Sequence, residues 1–268
     1  MGVLLSAART GMEGKKQARR SRIAIRVFTC VGQVIMFPVS SLPCMDQTIF
    51  SLVNTEWTSP GLDRLMAVLS CFELWIPLLL LIALGIAVAG CFKSRAMLVV
   101  LVAVVGLTDG VVVNGLKHLV NRPRPIQVEP VRIVDLHKMT PRFLAVFELV
   151  VVKFSILQTG TIAGRSFPSS HTSSNFAVAA VLVLFYRRWG GLYFLMAAAI
   201  GYSRIYTGAH WPSDVLASAF LGTGIGVLGV AAAEEAWRRW GGRLVPALYR
   251  SHPSLLEKCA AQKEAAKL

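Results

Sequence analysis

A chain of 268 residues with 54% hydrophobic residues and only 16% charged ones is poorer in charge than a soluble domain, where about a quarter of residues are charged. Its apolar residues fall in uninterrupted blocks rather than amphipathic stripes, which argues against a water-soluble helical protein. The formal net charge of +14 does not point to nucleic acid, because no aromatic residues interleave with the basic clusters to form a base-stacking platform.

Taken in chain order, residues 1–26 form a basic segment with Arg9, Lys15, Lys16, Arg19, Arg20, Arg22 and Arg26 against Glu13 alone. An uncleaved first span is expected at 24–43, interrupted by Arg26 and Gln33, since no small-residue cleavage site follows it. Further spans are expected at 74–91, 96–119, 172–188, 190–208 and 212–232, each approaching the roughly 20 residues that cross the hydrocarbon once its flanks are included. With the basic start inside, Lys93, Arg95, Arg187, Arg188 and the 233–268 tail fall on the same, cytoplasmic side, as the positive-inside rule requires. Segments 44–73 and 120–171 and the turn at 209–211 then lie outside. Phe143 to Leu157 is apolar but short and carries Glu148 and Lys153, so 143–158 is expected to be an interfacial or re-entrant helix. Cys44 and Cys71 bracket an outer segment, where a disulfide is one option. The spacing of His, Cys, Asp and Glu suggests no metal site.

Three polar constellations sit at the outer ends of these spans. In Lys117-His118-Leu119-Val120-Asn121-Arg122-Pro123-Arg124-Pro125 a span ends in a cation and two Arg-Pro pairs turn the chain out of helix. Such cations suit a phosphate clamp, and equally suit snorkelling to lipid headgroups. Gly164-Arg165-Ser166-Phe167-Pro168-Ser169-Ser170-His171 immediately precedes an apolar run, so its N–H groups and helix dipole offer an anion site beside a histidine; an ordinary serine-rich helix start reads the same way. Ser203-Arg204 through His210-Trp211-Pro212-Ser213-Asp214 places a carboxylate four residues after a histidine. Contact with one ring nitrogen would fix the tautomer and free the other for attack, although a structural His–Asp pair has the same spacing. Together the three supply a nucleophile, an orienting group, a general acid and a charge clamp.

Lys117 with Arg124-Pro125, then Pro168-Ser169-Ser170-His171, then Ser203-Arg204, His210 and Asp214 resemble the three-part signature of the type 2 phosphatidic acid phosphatase (PAP2) family, over about residues 74–232. The family includes bacterial lipid phosphatases and soluble vanadium haloperoxidases. The resemblance implies an all-α, integral membrane six-helix bundle with a PAP2/haloperoxidase-like core spanning 27–232, between the basic 1–26 and 233–268 segments. It implies that His210 is the nucleophile, that Asp214 orients it and that His171 protonates the leaving oxygen and then activates water. Lys117, Arg124, Arg204, Ser169 and the backbone at Ser170 would bind the phosphoryl oxygens. Serine stands at 170 where family members usually have glycine, which puts rate and substrate fit in question if the position needs a positive φ or a close backbone approach.

The reaction implied is metal-independent hydrolysis, without a cofactor, of a phosphomonoester or diphosphate on a membrane lipid such as undecaprenyl diphosphate, phosphatidylglycerophosphate, phosphatidate or lipid A. The partners are then the phosphorylated lipid and the bilayer, with no nucleic acid. The setting is a bacterial inner membrane with the site facing the periplasm or exterior. Two alternatives keep the fold: phosphoryl transfer from lipid to lipid through the same histidine, and an inactive scaffold or transporter. His118 is expected to pack at a span end, and Asp109 and Asn114 to bond across the bundle, with a supporting role near Lys117 the alternative.

Overall fold

Helix after helix here is apolar on every side, and the architecture follows from where polar residues interrupt that pattern. The computed structural model describes residues 42–137, 144–145, 150–155 and 165–256. The chain divides into two units, 1–57 and 58–268. In the first, α1 (Leu42–Ser51) runs into a π-helical turn at Leu52–Glu56; the expected span 24–43 lies outside the described residues except at its last two positions. The second unit contains the three signature segments.

It begins with α2 (Pro60–Ser70), capped by Ser59 Oγ accepting from the Leu62 N–H, and α3 (Phe72–Ala89). No residue of α3 is buried, and Leu80, Leu81 and Val88 are 64–69% exposed. Such a helix is stable only where lipid replaces water. α4 (Phe92–Leu107) continues through a π-helical stretch, Thr108–Val113, into α5 (Asn114–Val120). Asn121 ends α5 in the left-handed region at φ 49°, which asparagine tolerates better than most residues, and Pro123 prevents resumption of the helix. A single turn, α6 (Pro125–Val128), follows; its first N–H, on Arg124, is capped by Gln127 Oε1 at 2.8 Å. Among the described residues Asn114 makes no bond across the bundle of the kind expected: its Nδ2 donates to the Gly110 carbonyl of the same run of helix at 3.4 Å.

Within the expected interfacial helix at 143–158, the described residues 150–154 are strand rather than helix. They form β2 (Val150–Phe154), antiparallel to β1 (Arg132–Leu136) with Arg132 opposite Phe154 and Leu136 opposite Val150. Val150-Val151-Val152 is β-branched, a composition that packs well on a pleated surface, and a pairing partner 14 to 22 residues away is invisible to local periodicity. The hairpin is held to the helices by one buried polar knot. Arg132 Nη2 donates to Asp63 Oδ2 at 2.5 Å, the Tyr206 hydroxyl donates to Asp63 Oδ1 at 2.5 Å, and the guanidinium lies 5.8 Å from the Tyr206 ring centre.

The core belongs to α4, α7 (Ser170–Phe185) and α9 (Pro212–Leu244): Met97, Val100 and Val104 meet Ala177, Val181, Phe185 and Val230. α7 and α9 approach closely because small residues repeat along α9. A Cβ on Gly222 would lie 2.0 Å from the Ser173 carbonyl oxygen, and one on Gly226 2.6 Å from that of Ala177. This small-residue stripe is how apolar helices gain packing where lipid offers no hydrophobic driving force. α8 (Arg187–Tyr206) completes the unit's long helices, and α10 (Pro246–Ser251) follows α9. The result is an all-α, multi-spanning membrane fold carrying a two-stranded loop. Among the described residues, three runs, Phe72–Ala89, Phe92–Val128 and Pro212–Leu244, are long and apolar enough to cross a membrane, with Ser170–Phe185 a shorter apolar helix. α9 runs unbroken past residue 232; its 33 residues extend about 50 Å, beyond the roughly 30 Å of hydrocarbon.

Gly222→Leu is expected to force α7 and α9 apart and destabilise the protein by about 1–3 kcal/mol, read as a lower thermal midpoint in detergent. An unchanged midpoint would show that the stripe does not set the helix spacing.

Candidate active site

Three chain reversals bring the polar constellations to one end of the bundle. Asn121 and Pro123 turn the first out of α5. Ser169 is the N-cap residue of α7, and no side chain caps that helix's first turn. Gly208, at φ 80°, ends α8: the N–H groups of Ala209 and His210 fold back onto the Arg204 carbonyl at 3.0 and 3.2 Å. A side chain at 208 would be strained in that left-handed conformation, so the glycine places His210 over the end of the helix that carries Arg204. Pro212 then opens α9, and Asp214, its third residue, accepts from the Trp211 N–H at 3.3 Å, a capping-box geometry.

The segments are also laced to one another. The Ser166 N–H donates to the Arg122 carbonyl at 2.8 Å, Arg165 Nε to Asn121 Oδ1 at 2.7 Å, and Trp211 Nε1 to the Pro123 carbonyl at 3.0 Å. His118 takes part in this lacing: its Nδ1 lies 2.5 Å from Arg165 Nη1.

A cavity of about 550 Å³ opens among these segments. Arg124, His171 and Arg204 line it, with Ser70, Cys71 and Glu73 from the α2–α3 junction and Ile133, Val134 and Asp135 from the hairpin. Cys71 is a free thiol on this wall, so the disulfide option with Cys44 does not hold. Arg204 Nη1 bonds the hydroxyl and carbonyl oxygens of Ser70. The Nε groups of Arg124 and Arg204 are both buried and without a hydrogen-bond partner among the described residues. Buried donors of this kind are costly unless a ligand completes them.

His210 is 3% exposed. Its Nδ1 lies 2.6 Å from the Ser166 carbonyl oxygen, an acceptor, so Nδ1 carries the proton and Nε2 keeps its lone pair. Burial above all, then the charges of Arg204 and Arg124, pushes the His210 pKa well below the ordinary 6.5, with the Ser166 carbonyl opposing the shift and His171 adding to it. The imidazole is therefore neutral at pH 7. His171 lies within electrostatic reach of Arg204, Lys117 and Arg124.

Two placements differ from expectation. Asp214 does not contact His210: its fully buried carboxylate accepts from Arg122 Nη1 at 2.6 Å, from the Ser166 hydroxyl and from the Trp211 N–H. At the N3 position of α9 the carboxylate is turned toward its own helix start, and the backbone carbonyl of Ser166 meets the imidazole instead. Ser169 is fully buried and does not line the cavity, its N–H donating to Ser218 Oγ at 2.8 Å and its hydroxyl accepting from Thr172 at 3.0 Å. Ser170 needs no glycine: it is the first residue of α7, Asn121 is the lone non-glycine with positive φ among the described residues, and the Ser170 hydroxyl accepts from Lys117 Nζ at 3.0 Å. Ser166 and Arg122, whose bonds reach His210 and Asp214, are not among the site residues that the sequence predicts. Both lie inside the motif segments, but no spacing rule singles them out.

The PAP2 superfamily profile matches residues 96–238, more than half of the chain, and the protein belongs to that superfamily. Among curated relatives it is similar to the bacitracin transport permease protein BcrC of Bacillus licheniformis, 46% identical over 58 residues that make up 22% of this chain and 29% of that protein. It is also similar to the lipid A 4'-phosphatase of Bacteroides thetaiotaomicron, 38% identical over 61 residues, 22% of this chain and 27% of that one. The chain thus spans less than a third of the length of each of these two relatives. The crystal structure of Aquifex aeolicus LpxE aligns with 68% of this chain and 93% of its own, at 27% identity and a TM-score of 0.49.

Because the folded state holds His210 neutral while an unfolded chain protonates it near 6.5, its contribution to stability is present above that value and is lost as pH falls from 6.5 toward the folded value. Lowering pH from about 7.5 to about 5.5 should depress the thermal midpoint of the wild type more than that of His210→Gln. Equal depression in both would contradict a neutral, buried His210.

Proposed function

We propose that this protein is a lipid phosphate or diphosphate phosphatase working through a phosphohistidine on His210, without a metal ion. The observation that carries this reading is the convergence of Arg124, His171 and Arg204 on one cavity next to a buried, neutral His210 whose Nδ1 is already engaged. Buried guanidinium Nε groups lacking partners are what a phosphoryl group, an acceptor at every oxygen, would complete. The uncapped first turn of α7 adds a dipole of the same sign.

In the proposed reaction the Nε2 lone pair of His210 attacks phosphorus in line with the ester or anhydride oxygen. Burial, and then the charges of Arg204, Lys117 and Arg124, hold the His171 pKa down to about 4. The P–O bond breaks as the N–P bond forms, and His171, protonated once the anionic phosphoryl group offsets those cations, gives its proton to the departing oxygen. Now neutral, His171 takes a proton from a water that attacks the phosphohistidine, releasing inorganic phosphate and restoring both imidazoles. Arg124 and Arg204 spread the negative charge of the transferring group. Lys117, reaching Ser170 in the resting site, would exchange that neutral acceptor for a phosphoryl oxygen. The Ser166 carbonyl takes the tautomer-setting part that the sequence suggested for Asp214, and Ser169 supports the helix start from behind.

We further propose that the chain crosses the membrane six times, with the basic termini in the cytoplasm and the cavity facing the periplasm or exterior of a bacterial cell. The placement of Lys93, Arg95, Arg187 and Arg188 between expected spans supports that orientation. The lipid chain would remain in the bilayer while the headgroup enters the cavity.

The test is phosphate release by purified full-length protein, with EDTA present, from undecaprenyl diphosphate, phosphatidylglycerophosphate, phosphatidate and lipid A. Hydrolysis of at least one is expected, and His210→Ala should reduce it by at least about a thousand-fold while the protein remains folded in detergent. Full activity in His210→Ala would overturn the mechanism, and transfer of phosphate to a second lipid in place of release would identify a phosphotransferase.

A further inference from the structure

We infer that Arg122 is a positioning residue for the nucleophile, acting on His210 through Asp214 and Ser166 rather than binding phosphate. The inference rests on the proposed role of His210. Three bonds carry it in series: Arg122 Nη1 donates to Asp214 Oδ1 at 2.6 Å, the Ser166 hydroxyl donates to Asp214 Oδ2, and His210 Nδ1 donates to the Ser166 carbonyl at 2.6 Å. Ser166 is the junction. Its N–H, hydroxyl and carbonyl are all engaged, with the Arg122 carbonyl, Asp214 and His210 respectively, so a displacement of Asp214 moves the acceptor that sets the His210 tautomer.

The geometry separates Arg122 from its neighbour Arg124. Arg124 is on the cavity wall with its Nε lacking a partner among the described residues, whereas Arg122 Nη1 is engaged at the start of α9. Arg122 Nη1 is shared between Asp214 and Ser213 Oγ at 2.8 Å, and its guanidinium lies 5.7 Å from the Trp211 ring centre. Between the two arginines, the Pro123 carbonyl accepts from Trp211 Nε1, which anchors the backbone to the third motif at the point where the two side chains part. Asp214 is fully buried; a carboxylate there needs a cation and donors to stay in place, and Arg122 is its ion-pair partner.

A residue that acts through the nucleophile's orientation changes turnover and leaves phosphate affinity alone. With the lipid of the panel above that is hydrolysed fastest, Arg122→Gln should lower kcat by at least about ten-fold while the competitive inhibition constant of inorganic phosphate stays within about three-fold. Arg124→Gln should raise that constant. Arg122→Lys, which keeps the charge but not the planar fork, should recover part of kcat, and adding Arg122→Gln to Asp214→Asn should cost less than about two-fold more, because the two act on one chain of contacts. A wild-type kcat in Arg122→Gln, a phosphate constant that rises as in Arg124→Gln, or full additivity with Asp214→Asn would overturn the inference and leave His210 as nucleophile intact. If Arg122→Gln does not fold, Arg122→Lys decides: reduced kcat at unchanged phosphate inhibition supports positioning, and the reverse pattern refutes it. Loss of the His210 assignment itself would show separately, as activity surviving in His210→Ala.

Discussion

Guanidinium groups buried without full hydrogen bonding are the constraint around which this end of the molecule is organised. Arg124 and Arg204 each keep a buried Nε with no partner among the described residues, and the bonds of Arg204 Nη1 go to the neutral oxygens of Ser70 rather than to a carboxylate. Removing such donors from water is unfavourable, and leaving them unpaired more so. Strong secondary contacts hold them there: α8 is closed over Gly208 onto the Arg204 carbonyl, and the loop after α5 is pinned through Pro123 and Arg122 to the other two motifs. Donors fixed in this way are the arrangement from which electrostatic stabilisation of a developing negative charge gains most.

The same organisation explains why the Asp214 carboxylate bonds elsewhere than His210. An Asp214 anion touching His210 would raise the basicity of the imidazole and hold more of it protonated. With Asp214 turned toward Arg122, Ser166 and the Trp211 N–H, the imidazole meets a neutral carbonyl and stays unprotonated in the field of two arginines. The charge of Asp214 is balanced locally by Arg122. The extra-helical hairpin serves the same cavity from the other side: the Asp63–Arg132–Tyr206 knot fixes β1, whose Ile133, Val134 and Asp135 form part of the wall.

Much of this was legible in the chain itself. Membrane insertion follows from transfer energetics summed over local windows, and helix ends at Asn121-Arg122-Pro123, at Pro212 and at the Ser169–Ser170 start follow from backbone chemistry that operates over four residues. The residue types at Lys117, Arg124, His171, Arg204 and His210 and their spacing were enough to define the family. Only the tertiary structure decided which partner each polar atom took. That Asp214 bonds Arg122, 92 residues away, that Ser166 meets His210 across 44 residues, that Lys117 finds the Ser170 hydroxyl across 53, and that 150–154 pairs as a strand with 132–136 are outcomes of long-range competition. A carboxylate four residues from a histidine has several donors within reach, and the winner is set by how the whole bundle packs, a quantity no local pattern contains.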